Sequence, residues 1–283
     1  MKGYIKSPLN YTGGKYKILD SIIPCFPKNI ETFVDLFGGG FNVGINVEAE
    51  RIIYNDHNLF LSQMFELFRD SGTAVREKIH SRIREFNLSE ENKEGYLTLR
   101  NEYNKTKNIL DLFILTCYSF NHQIRFNSKH EFNTPFGKER SAYNKTIEEN
   151  LISFINALQN INIEFYSKDF TGLTLLDNLG SHDFVYCDPP YLISNASYND
   201  GKRGFKNWGE KEEEQLLDLL DYLNKKGVKF ALSNVLTHKG MTNEKLIEWS
   251  KKYKIKYIEK TYNNSSYQRK NKDKKTQEVL ICN

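Results

Sequence analysis

The chain has 283 residues, a formal net charge of +4, 39% hydrophobic residues and 27% charged residues. This is ordinary for a soluble globular protein large enough to bury a core in one or two domains. No apolar run approaches the roughly 18 residues of a membrane span, and the start MKGYIKSPLN lacks the apolar core of a secretory signal. The expectation is a cytoplasmic protein with no membrane association. Cys25, Cys117, Cys187 and Cys282 are scattered, with no C-x-x-C pair and no histidine at ligand spacing. They read as buried free thiols, and no metal site is expected.

In chain order, IETFVDLFGGGFNVG predicts a strand from Thr32 to Leu36 running into a glycine turn at Gly38, Gly39 and Gly40, with an amphipathic helix to follow. RIIYND predicts a second strand ending in Asp56, eighteen positions after Gly38. Strand, glycine turn, helix, strand and acid is the order in which a nucleoside-containing cofactor lies across strand ends, with the acid accepting from ribose hydroxyls. Gly38, Gly40 and Gly44 do not give G-x-G-x-x-G, so no pyrophosphate is expected. The glycines would instead admit close backbone approach by a cofactor lacking one.

From Leu59 to about Asn160 helical periodicity takes over. TIEENLISFINALQN predicts a helix opened by a capping box, Thr146 and Glu149, with Leu151, Phe154, Ile155 and Leu158 on one face. Within this region FNHQIRFNSKHEFNTPFGKER reads as an exposed hairpin or loop, and from Asn121 to Lys145 five basic residues face two acidic ones. Composition leaves open whether it is an ordinary surface loop or an element that reads base edges.

Strands return at IEFYSKDF, DFVYC and VKFALSN, and the last two strands are IKYIEK and EVLICN. The helix EEEQLLDLLDYLNKK would bury Leu216, Leu219, Leu220 and Leu223 and stop at Gly227. Between Lys251 and Lys275 ten basic residues stand against two acidic ones, either a solvated loop or a phosphate-contacting surface. The fold class is α/β, a sheet interrupted by one mainly helical insertion. The predicted organisation is a discontinuous unit, 1–58 with 161–283, and an insertion, 59–160, carrying a basic loop at about 121–145.

DFVYCDPPYL, Asp183 to Leu192, carries the chemistry. Its apolar strand is ended by Pro189 and Pro190, which cannot donate to a ladder and which hold Asp188 and Tyr191 at the strand's carboxyl end. An exocyclic amine on a nucleobase is a poor nucleophile because its lone pair is delocalised into the ring. The Asp188 carboxylate and the Pro189 carbonyl could each accept one of its N–H bonds, pyramidalising the nitrogen toward an electrophilic methyl group. Preorganised acceptors bind the charge that builds on the amine more tightly than the ground state. Tyr191 would stack on the base.

These residues resemble the Dam-type, D-P-P-Y class of S-adenosylmethionine-dependent DNA adenine methyltransferases. The likeness runs from PLNYTGGKYKIL through DLFGGG, IRFNSKHEFNTPFG, KDF and CDPPY to QEVLICN. It implies a Rossmann-like methyltransferase sheet, the insertion serving as target-recognition domain, and double-stranded DNA as partner, with a restriction endonuclease as a further partner. By resemblance Tyr11 and Lys15 would contact the cofactor, Lys15 at the methionine carboxylate. Asp35, Phe37, Gly38 and Gly40 would line the methionine end, Asp56 would hold the ribose, and Asp169 and Phe170 would meet the cofactor's adenine. Asp188, Pro189, Pro190 and Tyr191 would be catalytic, with Asp188 also lining the cofactor site. Asn10, Asn121, Arg125, Asn127, Asn133 and Pro135 would lie near DNA, Arg125 being the candidate for a bidentate guanine contact.

The chain departs from GATC-methylating members at three places. It has Asn10 where they carry lysine, Asn121-His122 where they carry Asn-Gly, and Glu139 after PFGK. Alternative readings are an RNA or protein-glutamine methyltransferase of related fold, which typically has Asn at the position of Asp188, or a DNA-binding relative without catalysis.

Overall fold

A computed structural model describes residues 3–193, 208–258 and 276–283. The elements in order are α1 (Leu19–Ile22), β1 (Ile30–Asp35), β2 (Ala49–Asn55), α2 (Leu59–Ser71), α3 (Val75–Glu85), α4 (Lys93–Thr106), α5 (Ile109–Tyr118) and α6 (Lys145–Gln159). They continue with β3 (Ile163–Tyr166), β4 (Phe184–Cys187), α7 (Glu210–Lys225), β5 (Lys229–His238), β6 (Met241–Thr242), α8 (Glu244–Ser250), β7 (Lys254–Ile258) and β8 (Gln277–Cys282). The main sheet runs β3-β2-β1-β4-β5-β8-β7. β1 to β5 pair in parallel, while β8 lies antiparallel between β5 and β7. This is the α/β, Rossmann-like arrangement expected.

Strand alternation divides the core. Phe33, Ile52, Tyr54 and Tyr186 face one layer, while Val34, Ile53, Val185 and Phe230 face the other. The first layer is closed by helices of the insertion: Tyr54 meets Phe65 of α2 with ring centroids 5.4 Å apart, and Phe41 meets Phe154 of α6 at 6.3 Å. The segment 59–160 therefore shares its core with the sheet. The second layer is closed by α7 and α8.

The chain's asparagines explain much of the helix framing. Asn58, Asn92, Asn108, Asn144 and Asn243 each accept a first-turn N–H and cap α2, α4, α5, α6 and α8. For α6 this corrects the expected Thr146–Glu149 box, because Asn144 is extended and bonds Ile147 N at 3.0 Å, so the helix starts before Thr146.

A second correction concerns the link from β1 to β2. No α-helix follows the glycine turn, only a 3-10 turn at Gly44–Asn46. Every residue from Phe41 to Ile45 is buried, as is Val47, so the segment packs on all sides as irregular chain and not as one helical stripe. In α7 the buried leucines are Leu216, Leu217, Leu220 and Leu223, with Leu219 half-buried. Gly227 ends that helix at φ +80°, with Val228 N bonding back to Leu223 O at 3.0 Å.

Among the cysteines Cys117 and Cys187 are buried, Cys25 and Cys282 half-buried, and all are free. Among the described residues no helix is long and apolar enough to cross a membrane. The basic stretch ending at Lys275 lies, from 259 onward, outside the described residues.

Candidate active site

The strand order reverses between β1 and β4, so their carboxyl ends open a crevice, the usual ligand position in a doubly wound sheet. A cavity of about 540 Å³ occupies it. The cavity is lined by the Tyr11–Lys15 segment, the turn from Leu36 to Gly40, Asp56, Lys168 to Phe170 and Asp188 to Tyr191. The acid and the tyrosine beside the double proline are thus joined to the glycine turn by one space.

The D-P-P-Y group is bonded tightly. Lys15 Nζ donates to Asp188 Oδ2 at 2.6 Å and to Gly13 O at 3.0 Å. Tyr191 Oη donates to the other carboxylate oxygen, Oδ1, at 2.9 Å. The Lys15 ammonium lies 5.3 Å from the Tyr191 ring centroid and 3.9 Å from Glu278 Oε1. Burial pushes the Asp188 carboxyl above its usual range, and the Lys15 ammonium and the Tyr191 hydroxyl oppose that rise. Lys15 was expected at a cofactor carboxylate. It is buried, at 6% exposure, pairs with Asp188 and lines the cavity.

Glu278, at 4% exposure, was not singled out from the sequence. It reaches this cluster because β8 runs antiparallel beside β5, a pairing that periodicity does not reveal. Pro189 is buried and Pro190 exposed.

On the other side of the crevice, Asp56 accepts from Gly39 N at 2.9 Å and from Asn58 N at 2.8 Å, which draws the glycine turn over the end of β2. Burial raises its carboxyl too. Asp35 accepts from Gly44 N at 3.1 Å, and burial lifts its carboxyl from the ordinary 3.8 to about 8.

The glycines of the turn lie tight against the chain's own tyrosines. A Cβ at Gly38 would stand 2.2 Å from the Tyr54 ring, and one at Gly40 2.9 Å from Tyr11 Cβ. The close approach they permit includes that of these tyrosines, which brace the turn. Tyr54 Oη also donates to Gly39 O at 2.9 Å.

Asn55, missed in the sequence although it precedes Asp56 at a strand end, ties two segments together. Its Nδ2 donates to Leu36 O and Lys168 O, and its Oδ1 accepts from Lys168 N, each at 3.1 Å. This fixes Asp169 and Phe170 against the glycine turn. Phe170 and Phe37 are 5.5 Å apart, and Trp208, also missed, completes the aromatic wall. Asp169 accepts from Thr171 N at 3.0 Å at the cavity edge.

The expected DNA contacts divide. Asn10 and Arg125 line the cavity, together with His122, Gln123 and Ile124. Asn10 Nδ2 donates to Asn121 O at 3.3 Å, linking the first motif to the loop. Asn121 is exposed at φ 55°, and Asn133 and Pro135 are exposed on the return arm. The loop is a hairpin, as anticipated, but its aromatics are inside: Phe126 pairs with Phe132 and stacks on Phe60 at 4.5 Å. Asn127 is turned into the hairpin tip, accepting from Lys129 N and Glu131 N and donating to Glu131 Oε2. It shapes the loop rather than presenting itself outward.

Comparison with known proteins adds the family. The chain is 52% identical to the type II methyltransferase M.FokI of Planomicrobium okeanokoites over 99% of its own length and 43% of that protein. It is 48% identical to the modification methylase StsI of Streptococcus sanguinis over 100% of its length and 43% of that protein. It therefore spans about two fifths of the length of these relatives. It is also 29% identical to the DNA adenine methylase of Escherichia coli K12, over 88% of this chain and 86% of that one. Residues 11–264, which include the Tyr11–Lys15 segment, the glycine turn, Asp56, Phe170 and the D-P-P-Y group, match one family, and the chain belongs to it: the D12 class of N6 adenine-specific DNA methyltransferases.

Proposed function

We propose that this chain transfers a methyl group from S-adenosylmethionine to the exocyclic amino nitrogen of an adenine extruded from double-stranded DNA at a specific site. The observation that carries the reading is the Asp188 carboxylate at the end of β4, held on both oxygens by Lys15 and Tyr191 and facing a cavity shared with the glycine turn.

The donor set fits the cofactor. Asp56 at the end of β2 has the chemistry for ribose hydroxyls, and Phe37 and Phe170 offer an apolar wall for a purine with Asp169 at its polar edge. The cavity's volume is in the range of small-molecule sites. The contacts of the methionine end fall to Tyr11, Lys15, Asp35, Phe37 and the turn at Gly38 and Gly40, all of which line the cavity. Bound there, S-adenosylmethionine supplies an electrophilic methyl group on a positively charged sulfur.

The chain's own residues do the rest. Asp188 accepts one N–H of the adenine amine and the Pro189 carbonyl accepts the other, withdrawing the nitrogen lone pair from the ring. The carboxylate then stabilises the positive charge that grows on that nitrogen, an interaction stronger in the transition state than before it. Lys15 opposes the rise that burial imposes on the Asp188 carboxyl and so favours its ionised form. Extruding the base costs a few kcal/mol of stacking and pairing, and contact with the Tyr191 ring returns about 1–3 kcal/mol.

The insertion 59–160 serves as the target-recognition region. The hairpin of about 121–145 supplies Arg125 as the guanine contact, with Asn10, Asn121, Asn133 and Pro135 beside it. The names of the relatives, a type II methyltransferase and a modification methylase, support a role beside a restriction endonuclease. The test is to incubate the purified chain with duplex DNA and S-adenosylmethionine, digest the DNA and identify the modified nucleoside. N6-methyladenine is expected; methylation confined to RNA or protein would contradict the reading.

A further inference from the structure

Glu213, on the first turns of α7, is fully buried and collects three donors from three separate elements. Its Oε2 accepts from Trp208 Nε1 at 2.9 Å. Its Oε1 accepts from Asn234 Nδ2 on β5 at 3.2 Å and from Asn243 Nδ2 at the start of α8 at 3.0 Å. Neither asparagine can turn its oxygen inward without loss, because Asn234 Oδ1 accepts from Val235 N at 2.7 Å and Asn243 Oδ1 from Leu246 N at 3.0 Å. Only a carboxylate offers an acceptor on both sides of such a set; a glutamine would present its NH₂ either to the indole N–H or to the asparagine amides.

What this arrangement fixes is the ring of Trp208. The indole is 8% exposed, and its remaining surface lines the cavity. It meets Phe37 edge-on at 5.5 Å and Phe170 at 5.7 Å. The wall therefore has three aromatic sides, of which only the two phenylalanines were legible as site residues. A buried carboxylate with three donors is an expensive way to hold a ring that had only to fill space.

We infer that Trp208 contacts the purine of an adenosine-bearing cofactor and that Glu213 is the positioning residue that sets the indole's plane. The inference rests on the cofactor reading above. Burial pushes the Glu213 carboxyl up, and the Trp208 and asparagine donors pull it back.

The chain has two tryptophans. Trp249 packs against Tyr253 and donates to Asp221, and it is not among the cavity's lining residues. Trp249→Phe thus leaves Trp208 as the sole indole reporter. In that background, titration with S-adenosylhomocysteine or with adenosine should change Trp208 emission, and methionine should not. By calorimetry, Trp208→Ala should bind S-adenosylhomocysteine about tenfold more weakly, and Trp208→Phe, which keeps a ring in the wall, should lose less. Glu213→Gln should shift Trp208 emission before any ligand is added and weaken S-adenosylhomocysteine binding by several-fold, with the affinity for methionine unchanged.

S-adenosylhomocysteine binding at wild-type affinity by Trp208→Ala and Trp208→Phe, with silent Trp208 emission, would overturn this inference and leave the cofactor reading standing. Emission that answers methionine but not adenosine would overturn the purine assignment. No heat of S-adenosylhomocysteine binding by the unmodified protein would remove the cofactor reading and this inference with it.

Discussion

The carboxyl ends of β1, β2 and β4 and the first arm of the hairpin face the same cavity but hold their side chains in opposite ways. In the crevice the charged groups are locked through the side chains themselves: Asp188 by Lys15 and Tyr191, Asp56 by Gly39 and Asn58, Asp35 by Gly44. In the hairpin the anchoring is through backbone and rings. Arg125 is placed by its N–H to Thr134 Oγ1 at 3.1 Å, Asn133 by its N–H to Arg125 O at 3.1 Å, and Phe126 by stacking on Phe60. Chemistry needs preorganised acceptors, whereas reading a base sequence needs polar side chains directed away from their own support. The proposed function assigns the first task to one wall of the cavity and the second to the other.

Breaking the crevice should have the largest effect. Asp188→Asn, which preserves shape and removes the charge, is expected to lower single-turnover methyl transfer by about 100-fold or more while leaving affinity for duplex DNA within a few-fold. Lys15→Met should come next, with a loss of about tenfold or more and a displaced pH profile. Lys15 holds down a carboxyl that burial raises, so without it the acid-side fall in activity should move to higher pH; an unmoved profile would refute the pairing as functional.

Arg125→Ala tests the opposite wall. It should relax discrimination at one base pair by about 1–3 kcal/mol with little change in single-turnover rate on the preferred site, as read by methylation mapping.

Two smaller effects sharpen the contrast through stability. The Asp35 carboxyl is raised from 3.8 to about 8, so the folded chain keeps a proton that the unfolded chain has lost. Stability from this group is full below pH 3.8 and falls as pH rises through 8. Asp35→Asn should therefore melt close to the parent at acidic pH and be more stable by about 1 kcal/mol or more at pH 8. Asn127→Ala should cost about 1 kcal/mol by loosening the hairpin tip, seen as a lower melting temperature, without altering which adenines are methylated. A changed methylation profile would restore Asn127 as a base contact.

The same contrast explains what the sequence could disclose. Strand ends announce themselves: VYCDPPY and IIYND each show an apolar run closed by an acid, and the parallel register sets Asp35, Asp56 and Asp188 along one edge. Asn55, Glu278, Trp208 and Glu213 were illegible because their roles come from neighbours remote in sequence, Lys168, Tyr191, Phe37 and Asn243 respectively. The pairing of Lys15 with Asp188 was illegible for the same reason, since nothing local indicates that it reaches a carboxylate 173 positions away. The expected helix after Gly40 failed for a packing reason, an unbroken run from Phe41 to Ile45 being buried where a surface helix would bury one stripe. In the hairpin, composition marked the loop but could not separate Asn127, folded into its own turn, from Asn133, which faces solvent.

The most direct test of the central claim compares wild type and Asp188→Asn in one single-turnover experiment with radiolabelled S-adenosylmethionine and duplex DNA, with cofactor binding measured in parallel. The prediction is label in N6-methyladenine for the wild type and almost none for the variant at matched cofactor occupancy. Wild-type transfer by Asp188→Asn, or label in any other nucleoside, would contradict it.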